Sequence, residues 1–156
     1  MEVDEMQIRK AKLSDVEAMH QTINYYAEKG LMLSRPRSVL YECIRDFIVA
    51  EEDGEILGVG ALHIMWVDLA EIRALAVKSE HTSKGIGRKI VEYALEEAKS
   101  MGIPKIFALT YRPKFFEGLG FVETLKESMP QKVWGECINC PKFPNCDEIC
   151  LKIDVI

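Results

Sequence analysis

Gly85 and Gly87 stand in the run Thr82-Ser-Lys-Gly-Ile-Gly-Arg88. This run separates an apolar strand that closes with Leu75, Ala76 and Val77 from a helical run, Lys89 to Met101. Glycine at such a point lets the backbone turn tightly and approach a ligand closely. A helix opened this way leaves unpaired N–H groups at its positive end, which suits a phosphate or pyrophosphate. Each charge contact there is worth roughly 0.3–1 kcal/mol, so several amides together can hold a nucleotide-like ligand. The run is not a Walker loop, because no Gly-Lys-Ser/Thr follows the spacing, and it lacks the third glycine of a dinucleotide fingerprint. A Gly-x-Gly before a helix is common, so its neighbours must decide what it does.

Other side chains invite chemistry. Glu71 lies between Ala70 and Ile72. A carboxyl in apolar surroundings can have a raised pKa and accept a proton near neutral pH, whereas a glutamate at a strand edge serves only an ion pair. Arg35, Arg37 and Arg73 each carry a guanidinium fork that suits a carboxylate, and two or three together would suit an acidic amino acid. For any one of them the alternative is an ordinary surface arginine. Cys137, Cys140, Cys146 and Cys150 give C-x2-C-x5-C-x3-C. Four thiolates can form a tetrahedral zinc site, but the spacing of the second pair is unusual. Disulfides and reduced structural thiols remain alternatives. His20 is a ligand or base, or else a packed or surface histidine.

The elements that must position these groups follow from patterning. Met6 to Arg9 alternates as a half-buried strand does. Ser14 and Glu17 read as a capping box for a helix through Val16, Met19, His20, Ile23 and Ala27, which ends at Gly30. After a loop containing Pro36, Ser38 is expected to cap a short helix, Val39 to Arg45. Phe47 to Ala50 and Glu55 to Trp66 read as strands joined by a turn at Asp53-Gly54, and Gly58 and Gly60 mark a bulge or a close backbone approach. Glu71 to Val77 is the strand before the glycine loop. Ile90, Val91, Ala94, Leu95 and Ala98 then form one buried helical stripe. Gly102 and Pro104 end that helix, and a strand Lys105 to Thr110, a short helix from Pro113, a strand Phe121 to Glu123 and a final strand Ile149 to Val155 follow. The order is β-α-α-β-β-β-α-β-α-β-β, a mixed α/β sheet.

A chain of 156 residues suits one domain, 1–156, here with a Cys/Pro-rich segment at 125–148 before the final strand. The net charge of −5 argues against a nucleic-acid partner. No apolar run approaches the roughly 20 residues of a membrane helix, and the acidic first residues lack the basic and apolar regions of a signal peptide. A cytoplasmic protein with reduced cysteines is expected.

Glu71-Ile-Arg-Ala-Leu-Ala-Val77, Lys84-Gly-Ile-Gly-Arg-Lys-Ile-Val-Glu92 and Phe115-Phe-Glu-Gly-Leu-Gly-Phe121 together resemble the GNAT family of acetyl-CoA-dependent N-acetyltransferases. That resemblance implies an α/β GNAT fold, a mixed central sheet with a splayed strand pair flanked by helices and the thioester lying in the gap. The family pattern Gln/Arg-x-x-Gly-x-Gly/Ala falls on Thr82, Ser83, Lys84, Gly85, Ile86 and Gly87, beside Arg88. Its amides would cradle the CoA pyrophosphate, and Thr82 departs from the usual Gln or Arg. By the same resemblance, Leu75, Ala76 and Val77 form the strand beside the cofactor. Leu75 and Val77 would offer main-chain groups to the pantetheine arm, and the Val77 N–H would face the thioester oxygen. Glu71 would be the general base. Phe116 stands where many members carry a tyrosine acid, which leaves Tyr111 as the replacement in sequence.

Pro36-Arg-Ser38, Leu40-Tyr-Glu-Cys-Ile-Arg-Asp-Phe47, Ala61-Leu-His-Ile64, Leu109-Thr-Tyr111, Lys132-Val-Trp134 and the cysteine tail sharpen the resemblance. They look like the short, single-domain amino-acid N-acetyltransferases, the N-acetylglutamate synthases of bacterial arginine biosynthesis that lack the kinase domain. This implies acetylation of the α-amine of L-glutamate, with Arg37 and Arg73 on the substrate carboxylates and a possible homodimer. The rival readings are a GNAT enzyme for another small amine or a protein N-terminus, and a non-catalytic CoA-sensing or metal-binding module.

Overall fold

The computed structural model describes residues 6–82, 84–125 and 148–156. Among them are strands β1 (Gln7–Lys10), β2 (Phe47–Glu52), β3 (Glu55–Trp66), β4 (Leu69–Val77), β5 (Lys105–Thr110), β6 (Val122–Thr124) and β7 (Ile149–Asp154). The helices are α1 (Val16–Ala27), α2 (Arg37–Glu42), α3 (Ile86–Ser100) and α4 (Pro113–Glu117). The strands form a mixed sheet in the order β1-β2-β3-β4-β5-β7-β6. Only β4 and β5 of the described neighbours run parallel, which is why α3 is needed to cross between them. No described helix is long and apolar enough to cross a membrane.

Strand alternation sends side chains to two layers. Ile48, Ala50, Leu62 and Ile72 meet the α3 stripe of Ile86, Ile90, Val91, Ala94 and Ala98. Phe47, Val49, Val59 and Ala61 face the opposite way, against Val16, Met19 and Ile23 of α1 and Leu40 of α2. The glycines of β3 serve the first of these contacts. A Cβ on Gly60 would lie 2.8 Å from Ile90 Cγ2, and one on Gly58 would lie 2.9 Å from Ile86 Cγ2. Helix α3 therefore rests directly on the β3 backbone. Gly60→Val is expected to cost about 1–3 kcal/mol through overpacking, read as a lower midpoint of urea unfolding.

Local expectations were met unevenly. Asp53 (φ 55°) and Gly54 (φ 77°) make the expected β2–β3 turn. Strand β4 begins at Leu69 rather than Glu71, because Trp66 pairs with Leu69 across a two-residue turn. Helix α3 begins at Ile86 rather than Lys89, so Gly87 is helical and Gly85 is its N-cap. Ser38 lies inside α2, whose N-cap is Pro36.

Ser14 does not cap α1 either, because the neighbouring Asp15 organises that corner. The Asp15 carboxylate accepts from the Lys12 N–H at 2.7 Å, inside a 3-10 turn, and from Arg9 at 2.8 Å. Burial pushes the Asp15 carboxyl up, but the Arg9 guanidinium and the Lys12 amide outweigh it and hold it below its ordinary value. A carboxylate held low contributes stability above its unfolded-state pKa and loses it as pH falls through the folded value. Unfolding midpoints should therefore drop below about pH 5, and Asp15→Asn should flatten that part of the curve.

Candidate active site

Strands β4 and β5 pair only from Leu69–Lys105 to Ile72–Ala108, although β4 continues to Val77 and β5 to Thr110. Their parting has a local cause. Across β3, Val59 opposes Ala76 and Ala61 opposes Arg73, so β4 carries one extra residue there. Ala74 sits in that bulge with φ 57°, a left-handed conformation that costs a non-glycine residue roughly 1–2 kcal/mol. A bulge bends and twists its strand, and here β4 leaves β5 and opens a wedge.

Main-chain direction in the wedge follows from one hydrogen bond. The Lys78 N–H donates to the Leu57 carbonyl at 2.9 Å, so Lys78 and Ala76 turn their main-chain groups to β3. By alternation, Leu75 and Val77 turn theirs to the open side. The Val77 carbonyl accepts a hydrogen bond from the Tyr26 hydroxyl of α1. Burial raises the Tyr26 phenol above its ordinary pKa, which keeps it a donor.

A cleft of about 850 Å³ runs from the glycine loop past β4 into the wedge. Leu75, Ala76, Val77, Thr82, Gly85, Gly87 and Arg88 all line it. Gly85, the N-cap of α3, has φ 77° and makes no side-chain cap hydrogen bond, so among the described residues no cap competes for the first amides. Two expected loop residues behave differently. The Ile86 side chain is buried against β3, leaving only its amide for a ligand. Lys84 is exposed, with Nζ 2.9 Å from His81 Nδ1, and is not among the lining residues. Ser83 lies outside the described residues. The amides and small residues fit the diphosphate and extended arm of acetyl-CoA.

At the deep end, Glu71 is 6% exposed and accepts from Arg73 Nε at 2.6 Å. Glu71 therefore does not stand in purely apolar surroundings as its sequence neighbours suggested. Tyr111 lines the same cleft just beyond β5, near Phe115 and Phe116. Arg35 is buried, and its Nη1 donates to the Leu33 carbonyl while the side chain lines the cleft. Arg37 is the expectation the structure moves elsewhere. It is half exposed, pairs with Glu17 at 2.6 Å and is not a lining residue. His20 lies on α1 outside the cleft.

Cys137, Cys140 and Cys146 lie outside the described residues. Cys150 is buried in β7 against Leu69 and Phe107. No group of His, Cys, Asp or Glu able to hold a metal occurs among the described residues. Sequence reasoning missed Tyr26 and Glu148, both of which line the cleft. Tyr26 was visible only as an aromatic on the flank of the α1 stripe.

The model of the Acetyltransferase (GNAT) family matches residues 12–121. This chain belongs to the GNAT family. It is 43% identical to an uncharacterised N-acetyltransferase of Chlorobaculum tepidum over 92% of this chain and 93% of that one. An amino-acid acetyltransferase of Mycobacterium tuberculosis is 38% identical over 83% of this chain and 75% of its own length. A crystal structure of a Mycobacterium tuberculosis protein in complex with CoA superposes with a TM-score of 0.85 at 32% identity, covering 96% of this chain and 99% of that one. The GNAT wedge, glycine loop and cleft are thus those of an acetyl-CoA-dependent acetyltransferase. Acetyl-CoA supplies the activated acetyl group, and the residues of this GNAT chain bind and orient it.

Proposed function

We propose that this GNAT enzyme acetylates the α-amine of an amino acid, L-glutamate in the first instance, as the opening step of arginine biosynthesis. The observation that carries the proposal is the convergence of Glu71, Arg73 and Arg35 on one cleft beside the strand wedge. Arg73 holds Glu71 through Nε, and its guanidinium lines the cleft where a substrate carboxylate would meet it. Arg35 reaches the same cleft from the α1–α2 connection and takes the role that the sequence suggested for Arg37. The amino-acid acetyltransferase relative supports an amino-acid acceptor.

The amine attacks the thioester carbon directly. Glu71, acting as base, accepts the proton that the amine loses as its N–C bond forms. The Val77 N–H faces the carbonyl oxygen as that oxygen gains negative charge. The C–S bond breaks, and the departing thiolate takes a proton from Tyr111 or from solvent. The products are the N-acetylated amino acid and CoA.

Steady-state kinetics of two arginine variants test the acceptor assignment. Loss of a charge-assisted hydrogen bond costs about 1.5–3 kcal/mol, so Arg35→Ala should raise KM for glutamate by roughly 10- to 150-fold. Arg37→Ala, which removes a surface pair with Glu17, should leave it near the wild-type value. The reverse pattern would return the carboxylate to Arg37.

A further inference from the structure

Beside the main cleft lies a small recess, walled by Arg35 from the α1–α2 connection, Cys43 and Asp46 from the segment between α2 and β2, His63 from β3 and Arg73 from β4. Its volume of about 30 Å³ holds one water. Arg35 and Arg73 line both spaces, so the recess adjoins the cleft where Glu71 lies. His63 is the residue directly opposite Glu71 in the β3–β4 register. Opposed residues of an antiparallel pair share a face, with Cβ atoms about 4.5–5.5 Å apart. His63 Nδ1 is 2.7 Å from Asp46 Oδ2. The His63 side chain is 34% exposed, against 7% for Glu71.

This arrangement answers a need that each turnover creates. A base that has taken the amine's proton must lose it before it can act again, and Glu71 is buried beside Arg73. We infer that His63, held by Asp46, is the proton outlet of Glu71. The inference rests on Glu71 being the general base. Asp46 accepts from Nδ1–H, which leaves Nε2 as the proton-accepting nitrogen. The proton moves from the Glu71 carboxyl to Nε2, directly or across one water in the recess, and then from the imidazole to solvent. Glu71 returns to carboxylate and His63 to neutral imidazole. No bond to carbon changes and nothing is oxidised or reduced. An imidazole suits the task because its ordinary pKa lies close to neutral. Among the described residues, Glu71, Asp46, Cys43, Arg35 and Arg73 are the titratable and charged groups at this corner.

His63 is thus a positioning residue that acts through Glu71. The test compares His63→Gln, Asp46→Asn and Glu71→Gln with the wild type, using acetyl-CoA and the amino acid that the wild type turns over best. The expected result for His63→Gln is a kcat lowered roughly 10-fold, less than the 10²–10⁴ of losing the base itself. KM for acetyl-CoA should not move, and added imidazole should restore kcat. Asp46→Asn, which misdirects the ring nitrogens, should show a milder defect with the same rescue, and it carries the test alone if His63→Gln fails to fold. A wild-type kcat in these variants, or a defect that imidazole leaves untouched, overturns the outlet. If Glu71→Gln loses rate while they do not, the outlet falls and the base stands. If Glu71→Gln turns over at the wild-type rate, both fall.

Discussion

Glu71→Gln is expected to lower kcat by roughly 10²–10⁴ while leaving KM for acetyl-CoA unchanged. The amide matches the carboxylate in size and can still sit beside Arg73, so packing changes little. It cannot accept a proton from the attacking amine. The acetyl-CoA cleft is built from the glycine loop and the outward edge of β4, several residues from position 71, and does not depend on its charge. Steady-state kinetics across pH check this. The variant should lose the limb of the profile that reports the base, as well as its height. An unchanged kcat across pH would remove Glu71 from the mechanism.

Arg73→Met should be nearly as damaging, for a different reason. Methionine keeps much of the stem's bulk beside Met65, whose Sδ lies 3.6 Å from Arg73 Nη2. The Glu71 carboxylate, 2.6 Å from the lost guanidinium, is left buried without it. Removing one partner of a buried pair typically costs about 3–5 kcal/mol, unless the carboxyl avoids that cost by taking up a proton. Loss of an opposite charge favours the protonated form, so the carboxyl titrates at higher pH. Activity should fall at neutral pH by roughly 10²-fold or more and recover in part as pH rises. KM for glutamate should rise as well, because the same fork serves the substrate. An acidic limb that stays in place would show that Arg73 does not govern Glu71.

Much of this site could be read from residue types. The glycine loop was legible because the runs around Gly85 and Gly87, from Glu71 to Val77 and from Phe115 to Phe121, together carry the GNAT pattern, which the two glycines alone do not. Gly58 and Gly60 announced a close approach, although only the fold shows that α3 makes it. The bulge that opens the wedge was hidden, because its left-handed position holds Ala74, a residue that does not signal positive φ. Arg35 and Arg37 flank Pro36 and look equivalent in sequence. Their fates diverge because α2 starts at Arg37 and sets it against Glu17 of α1, while Arg35 stays in the connection and turns into the cleft. Ser14 lost its capping role to Asp15 because Arg9, on the adjacent β1, holds that carboxylate in place. The His63–Asp46 pair joins residues 17 apart in sequence, and nothing local connects them.

The most direct test is CoA release from acetyl-CoA against a panel of amino acids and simple amines, corrected for the protein's own thiols. A clear preference for L-glutamate, lost when its side-chain carboxylate is removed, is the predicted result. Preference for an amine that carries no carboxylate, or acetyl-CoA binding without turnover on any amine, would contradict the account.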